Sequence, residues 1–222
     1  MTYCLATSLK KAATVAARSL VPGKPHHAQW MITRKCNYRC RGCNVWREQD
    51  QRELSAEDIK RGLDILKNLG IVEIVFSGGD PLLREDIDEI IDYASRFFVT
   101  TVYDNGSMAA GKIEALRNVD FVAISIDSLD AAKNDYIKGV EGAWRKAMEA
   151  VETLHNEGIS VSVTPTISQL NLYESWTSQT TLLKKESQSG TACTRTTFRL
   201  TKTNSSELER KTTNLLFATS KA

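Results

Sequence analysis

Ile71-Val72-Glu73-Ile74-Val75-Phe76-Ser77-Gly78-Gly79-Asp80-Pro81 reads as a buried strand that runs straight into a tight turn. The β-branched and aromatic residues from Ile71 to Phe76 favour an extended chain, and the Gly-Gly-Asp-Pro that follows ends it. Upstream, Ser55 supplies an N-cap with Asp58 three residues on. Ile59, Leu63, Leu66 and Leu69 then keep helical spacing as far as Gly70. Downstream, Ile87, Ile90, Ile91 and Ala94 mark a second helix.

The alternation continues outward in both directions. Gln29–Thr33 reads as a first strand, and Phe98–Tyr103 as a third, stopped by Asp104-Asn105-Gly106. Ile113 and Leu116 mark a short helix, and Val119–Ile126 a fourth strand. Ala143, Ala147, Ala150, Val151 and Leu154 stripe a further helix closed by Gly158, and Ile159–Thr166 is a fifth strand. Near-continuously apolar strands separated by helices predict an α/β fold with a parallel sheet of βαβ units. Successive right-handed crossovers give either an open doubly wound sheet or a barrel, and periodicity does not choose between them.

Composition bounds the function. A 222-residue chain with 41% hydrophobic and 25% charged residues is ordinary for a globular domain with a substantial core. A net charge of +2 shows no nucleic-acid footprint. No apolar run has transmembrane length, and the N-terminal stretch lacks the apolar region of a secretion signal. The expected compartment is cytoplasmic.

In parallel α/β folds the loops at the carboxyl ends of the strands carry the chemistry. Here the five ends bring the cysteine-rich run after Thr33, Ser77-Gly78-Gly79-Asp80-Pro81, Asp104-Asn105-Gly106, Ser125-Ile126-Asp127 and Thr164-Pro165-Thr166. Each alone reads as a turn, and Asn105-Gly106 most readily so. The five in this order exceed what turns require. Arg84, Tyr103, Asp104 and Thr166 fall near the same rim, where capping and turn formation are the simpler roles.

Cys36-Asn37-Tyr38-Arg39-Cys40-Arg41-Gly42-Cys43 gathers three thiols with C-x3-C-x2-C spacing. Structural zinc, with His26 or His27 as fourth ligand, is one reading, but such sites favour paired knuckles with a longer spacer. Disulfides do not suit a reducing compartment. A cubane iron–sulfur cluster held by three cysteines is the other reading, since fully ligated electron-transfer clusters usually take four. Cys4 and Cys193 stand alone.

From about Trp30 to about Tyr173 the chain resembles the radical S-adenosylmethionine (radical SAM) superfamily. The cysteine triplet and Gly78-Gly79-Asp80-Pro81, similar to the family's Gly-Gly-Glu-Pro, carry the likeness. It implies a partial TIM-type (β/α) barrel with parallel strands, incomplete at the C-terminus of this chain. Cys36, Cys40 and Cys43 would bind a [4Fe-4S] cluster. The loop Gly78, Gly79, Asp80 and Pro81 would meet the methionine amino group of S-adenosylmethionine, with the Asp80 carboxylate offsetting its charge. Ser125 and Asp127 would reach the ribose. Gly42, where the family often has an aromatic residue, would meet the adenine through its main chain. Asn105-Gly106 resembles the family's Thr-Asn-Gly, with Tyr103-Asp104 in place of threonines. Lys138-Gly139 and Glu141-Gly142-Ala143-Trp144 resemble its linker into the following helix.

The activity so implied is reductive cleavage of S-adenosylmethionine to methionine and a 5′-deoxyadenosyl radical, which takes hydrogen from a small-molecule or peptide substrate. Flavodoxin or ferredoxin would supply the electron. The alternative is a non-catalytic zinc or cluster module, or a truncated inactive relative.

Three segments follow. Residues 1–25 form an N-terminal helix and linker, with Leu5, Leu9, Ala12, Ala16 and Leu20 as an apolar stripe expected to pack on the domain, and Pro22-Gly23-Lys24-Pro25 ending it. Residues 26–173 form the core. Residues 174–222 are rich in Ser and Thr and lose apolar periodicity, as either a disordered tail or a shifted or truncated reading frame. The abrupt break inside an expected helix favours the shifted or truncated frame.

Overall fold

Five strands, β1 (His27–Thr33), β2 (Glu73–Gly78), β3 (Val99–Asp104), β4 (Phe121–Ile124) and β5 (Val161–Val163), lie side by side in chain order. Every neighbouring pair is parallel. The computed structural model describes residues 11, 13–18, 20–48, 52–172 and 199–200. A doubly wound sheet reverses its strand order at a switch point. The unbroken order 1-2-3-4-5 is instead that of part of a (β/α) barrel.

Helices α1 (Ala56–Asn68), α2 (Ile87–Ser95), α3 (Ile113–Leu116), α4 (Ala131–Lys138) and α5 (Ala143–Asn156) connect the strands. Ser55 caps α1 as its sequence suggests, accepting from Asp58 N. Helix α4 was not legible in the apolar pattern: its buried residues are Asn134, Ile137 and Lys138, two of them polar. Asp130 caps its start and Gly139 its end, in the left-handed conformation.

The core lies between the helices and one face of the sheet. Ile74, Phe76, Val102, Val122 and Ile124 meet Ile59, Leu63, Ile90, Ile91 and Leu154 there. Burying such side chains contributes roughly 1.5–3 kcal/mol each. The sequence reading expected strands buried on both faces. Instead β3 alternates, with Thr100, Val102 and Asp104 buried and Val99, Thr101 and Tyr103 half-exposed. The second face is an open hollow lined by Val75, Thr101, Tyr103, Phe121 and Ala123, the inside of a barrel wall that the described residues do not close.

Two further expectations are corrected. The fifth strand ends at Val163, because Pro165 has no N–H to offer a ladder. Thr166–Ile167 (β6) leaves the sheet and pairs in parallel with Arg199–Leu200 (β7). At the N-terminus, residues 11 and 13–18 are helical, but Ala16 is exposed and Leu20 is 81% exposed. Lys11 ties this helix to the sheet, its ammonium 2.7 Å from Asp120. Leu5, Leu9, Ala12, Cys4 and Cys193 lie outside the described residues, as does all of the 174–222 segment except β7.

Candidate functional site

The loop from β1 to α1 carries all three cysteines, each as a partly exposed thiol. Backbone bonds shape it: Cys43 N donates to Cys40 O (3.2 Å) and Arg41 N to Ile137 O of α4 (2.9 Å). Trp46 Nε1 donates to Cys40 O (3.3 Å), and Tyr38 N donates to Cys36 Sγ (3.4 Å). Burial raises the Cys36 thiol, opposed by that Tyr38 N–H. Burial pushes Cys40 up to about 11, opposed by the Lys138 ammonium. These thiols therefore keep their protons at neutral pH until a metal displaces them.

The second loop is fastened to the first through main chain. Gly79 N donates to Thr33 O (2.9 Å) and Asp80 N to Lys35 O (2.8 Å). A Cβ at Gly78 would stand 2.1 Å from Thr33 O, and one at Gly79 2.1 Å from Lys35 O. Gly78 also sits at φ +144°, where L side chains are strained. The sequence reading gave these glycines to a ligand's approach. The structure shows a nearer reason: two backbones in contact, joining the cysteine loop to Gly-Gly-Asp-Pro.

Asp80 and Pro81 lie beneath this junction, both buried. Asp80 caps the 3-10 turn Pro81–Leu83, its Oδ1 accepting from Leu82 N (3.0 Å). Its Oδ2 and Oδ2 of Asp104 are buried without a donor among the described residues. Asp104 Oδ1 accepts from Gly106 N (2.8 Å). Burial raises both carboxyls, and the neighbouring Asp104 charge lifts Asp80 further. Like charges this close do not both ionise, so one proton held between the two oxygens satisfies the pair. The Tyr38 hydroxyl is buried beside them, also without a partner among the described residues. Burial raises its pKa first, then the Asp104 and Asp80 charges.

The remaining predicted residues divide by depth. Asn105 is half-buried and donates to Asn37 Oδ1 (2.8 Å), while Asn37 Nδ2 donates to Ser107 Oγ (2.7 Å). The β3 end is thus bound to the cysteine loop. Ser125 is half-exposed at the end of β4 with its Oγ against Lys138 Nζ. Gly42 is exposed, with open space where a Cβ would stand. Asp127 is buried and fully engaged: Oδ1 accepts from Thr166 N (2.7 Å) and Oδ2 pairs with Lys138 Nζ (2.9 Å). Its backbone is held by Asn134 Oδ1 and Asn171 Nδ2.

Lys138, Asn134, Asn171 and Asn37 were missed as site-building residues, since polar letters on a helix or loop read as solvated. Arg84 was placed near the rim as a capping residue. It is buried and donates to Ile32 O (2.8 Å), Leu54 O (2.9 Å) and both oxygens of Asp86.

The zinc reading fails on position. His27 begins β1 and lies against Glu73, so the six strand residues that follow it, about 20 Å, separate it and His26 from the cysteines. Among the described residues no three His, Cys, Asp or Glu side chains converge to hold a single metal ion. Thiolates on a cubane bind separate irons and need no common point. A soft three-thiol set on an open loop fits such a cluster.

The Radical SAM superfamily model matches residues 30–171. The chain belongs to the radical SAM superfamily. Among its radical SAM relatives, the AdoMet-dependent heme synthase of Nitratidesulfovibrio vulgaris is 32% identical over 165 residues, 70% of this chain and 45% of that one. Mycofactocin maturase MftC of Mycolicibacterium smegmatis is 34% identical over 146 residues, 61% of this chain and 37% of that one. The chain spans less than half the length of these curated relatives. In fold it is similar to Streptococcus suis SuiB bound to S-adenosylmethionine (TM-score 0.69, 16% identity, 96% of this chain and 52% of that chain). It is also similar to methylornithine synthase PylB (TM-score 0.56, 16% identity, 93% and 67%). Both likenesses confirm the partial TIM-type barrel. Among the described residues no helix is long and apolar enough to cross a membrane.

Proposed function

We propose that this radical SAM chain is an enzyme of the cytoplasm that holds a [4Fe-4S] cluster on Cys36, Cys40 and Cys43 and binds S-adenosylmethionine beside it. When bound, that pair supplies reductive cleavage of the sulfonium to a 5′-deoxyadenosyl radical, which abstracts hydrogen from a small-molecule or peptide substrate. One observation carries the reading: the three-thiol loop and Gly78-Gly79-Asp80-Pro81 are sewn together by Gly79 N–Thr33 O and Asp80 N–Lys35 O. A cluster ligand set and the family's methionine-binding loop so become one rigid rim.

The chain's own residues position and exclude. Gly42, Gly78, Gly79, Asn105 and Ser125 reach the rim, where main-chain and short polar groups contact a nucleotide. Asp80, Pro81 and Asp127 act one layer below, holding the loops at fixed separation, which is what placing a reactive intermediate requires. The Tyr38 N–H to Cys36 Sγ bond and the Lys138 ammonium near Cys40 both favour anionic sulfur. The electron comes from flavodoxin or ferredoxin.

Anaerobic reconstitution with iron and sulfide, followed by S-adenosylmethionine and dithionite, tests this. Wild-type chain should release 5′-deoxyadenosine and Cys40→Ala none. Equal yield from both would end the proposal.

A further inference from the structure

Residues 34–47 carry Arg34, Lys35, Arg39, Arg41 and Arg47 and no Asp or Glu. These five cations fall within one short stretch of the loop that holds the three cysteines. Arg34 and Lys35 are answered by Glu48 and Glu53. Arg39, Arg41 and Arg47 are exposed and pair with no carboxylate among the described residues.

These three guanidiniums are held by aromatic planes. Arg41 lies 3.8 Å from the Tyr136 ring centroid, and its Nε donates to Tyr136 O (2.9 Å). Arg47 lies 4.9 Å and Arg39 5.2 Å from the centroid of Trp46. Cation–π contact orders a guanidinium while leaving its charge uncompensated. The Trp46 indole is in turn bonded to Cys40 O, so the charged surface is one residue from a cluster ligand. Tyr136 belongs to α4, which places Arg41 among the helices. The open hollow where a substrate would sit lies on the other face of the sheet.

We propose that Arg39, Arg41 and Arg47 form the docking surface for an acidic one-electron carrier protein, which seats against Trp46 and Tyr136. This rests on the cluster assignment made above. One electron leaves the reduced carrier, which is oxidised, and enters the cluster, which is reduced; no bond or proton moves. A fixed basic surface of this kind, unpaired among the described residues, steers an acidic partner and loses its pull as salt rises.

The test compares wild type with Arg41→Gln/Arg47→Gln and with Arg41→Lys/Arg47→Lys. Arg39 is left in place because it also donates to Cys36 O and Tyr38 O. Flavodoxin binding to the chain, and 5′-deoxyadenosine formation driven by reduced flavodoxin or by dithionite, are measured at low salt and at about 0.3 M salt. The Gln pair should weaken flavodoxin binding about ten-fold at low salt, and flavodoxin-driven turnover about ten-fold relative to the same variant's dithionite-driven turnover. The Lys pair should stay close to wild type, and added salt should bring all three together. Three results would overturn the proposal: unaltered flavodoxin binding in the Gln pair, an equal loss in the Lys pair, or tighter binding of a short acidic peptide than of flavodoxin. Wild type that binds flavodoxin yet makes no 5′-deoxyadenosine with dithionite defeats the cluster assignment instead, and this proposal with it.

Discussion

The two ends of the rim are built in opposite ways. At the β1–β2 junction, main chain touches main chain: Gly78 and Gly79 meet Thr33 and Lys35 with no room for a side chain. At the β4–β5 junction, side chains carry the load. The Asp127–Lys138 ion pair is nearly solvent-free on both partners, and Asn134 and Asn171 complete it from α4 and from the turn after β6. The first junction is rigid because nothing larger fits. The second is rigid because its polar groups are mutually satisfied, and satisfaction is lost when one partner goes.

That difference predicts how each end fails. The largest effect falls on the polar junction. Asp127→Ala strands the Lys138 ammonium and frees Thr166 N, and should cost about 3–5 kcal/mol in denaturant unfolding. Adding Lys138→Met should restore much of it; no recovery in the double variant would show that the pair is not what holds the end of β4 to α4. The glycine junction comes next. Gly79→Ala places a Cβ against Lys35 O and should cost about 3 kcal/mol, with the cysteine loop becoming more susceptible to protease. An unchanged unfolding midpoint would mean the two loops can separate freely.

A smaller effect distinguishes Asp80. Its folded carboxyl is raised by burial and by Asp104, so the folded state holds a proton the unfolded chain releases near pH 4. The stability this contributes is complete below that range and is lost as pH rises through the raised value. Asp80→Asn replaces the shared proton with an amide N–H and should flatten stability across that interval. A slope as steep as wild type's would place the shared proton elsewhere. Gly42→Ala, next to Cys43 but in open space, should shift stability by less than about 0.5 kcal/mol. It sharpens the contrast with Gly79, since two glycines of one rim would differ for steric reasons alone.

The same contrast explains what could be read from the chain. The strands, most helices, the cysteine loop and Gly-Gly-Asp-Pro were legible, because apolar periodicity, Cys spacing and Gly-Gly leave strong marks. The fifth strand was read as Ile159–Thr166, two residues early at its start and three too far at Thr164-Pro165-Thr166, where only the missing proline N–H marked the break. Helix α4 was missed because it buries Asn134 and Lys138, letters that ordinarily mark a solvated surface. Asp127 was recognised by its place in a family pattern, but not its engagement by Lys138, a partner that the chain supplies only once folded. The Asp80–Asp104 pair was invisible for a related reason. Each residue reads as a turn former, and only the parallel alignment of β2 with β3 brings their free oxygens together.

Metal analysis with electron paramagnetic resonance on the anaerobically reconstituted chain tests the central claim most directly. Four irons and four sulfides per chain, a reduced-cluster signal that shifts when S-adenosylmethionine is added, and loss of both in Cys40→Ala are the predicted result. Bound zinc without iron, or a signal indifferent to S-adenosylmethionine, would contradict it.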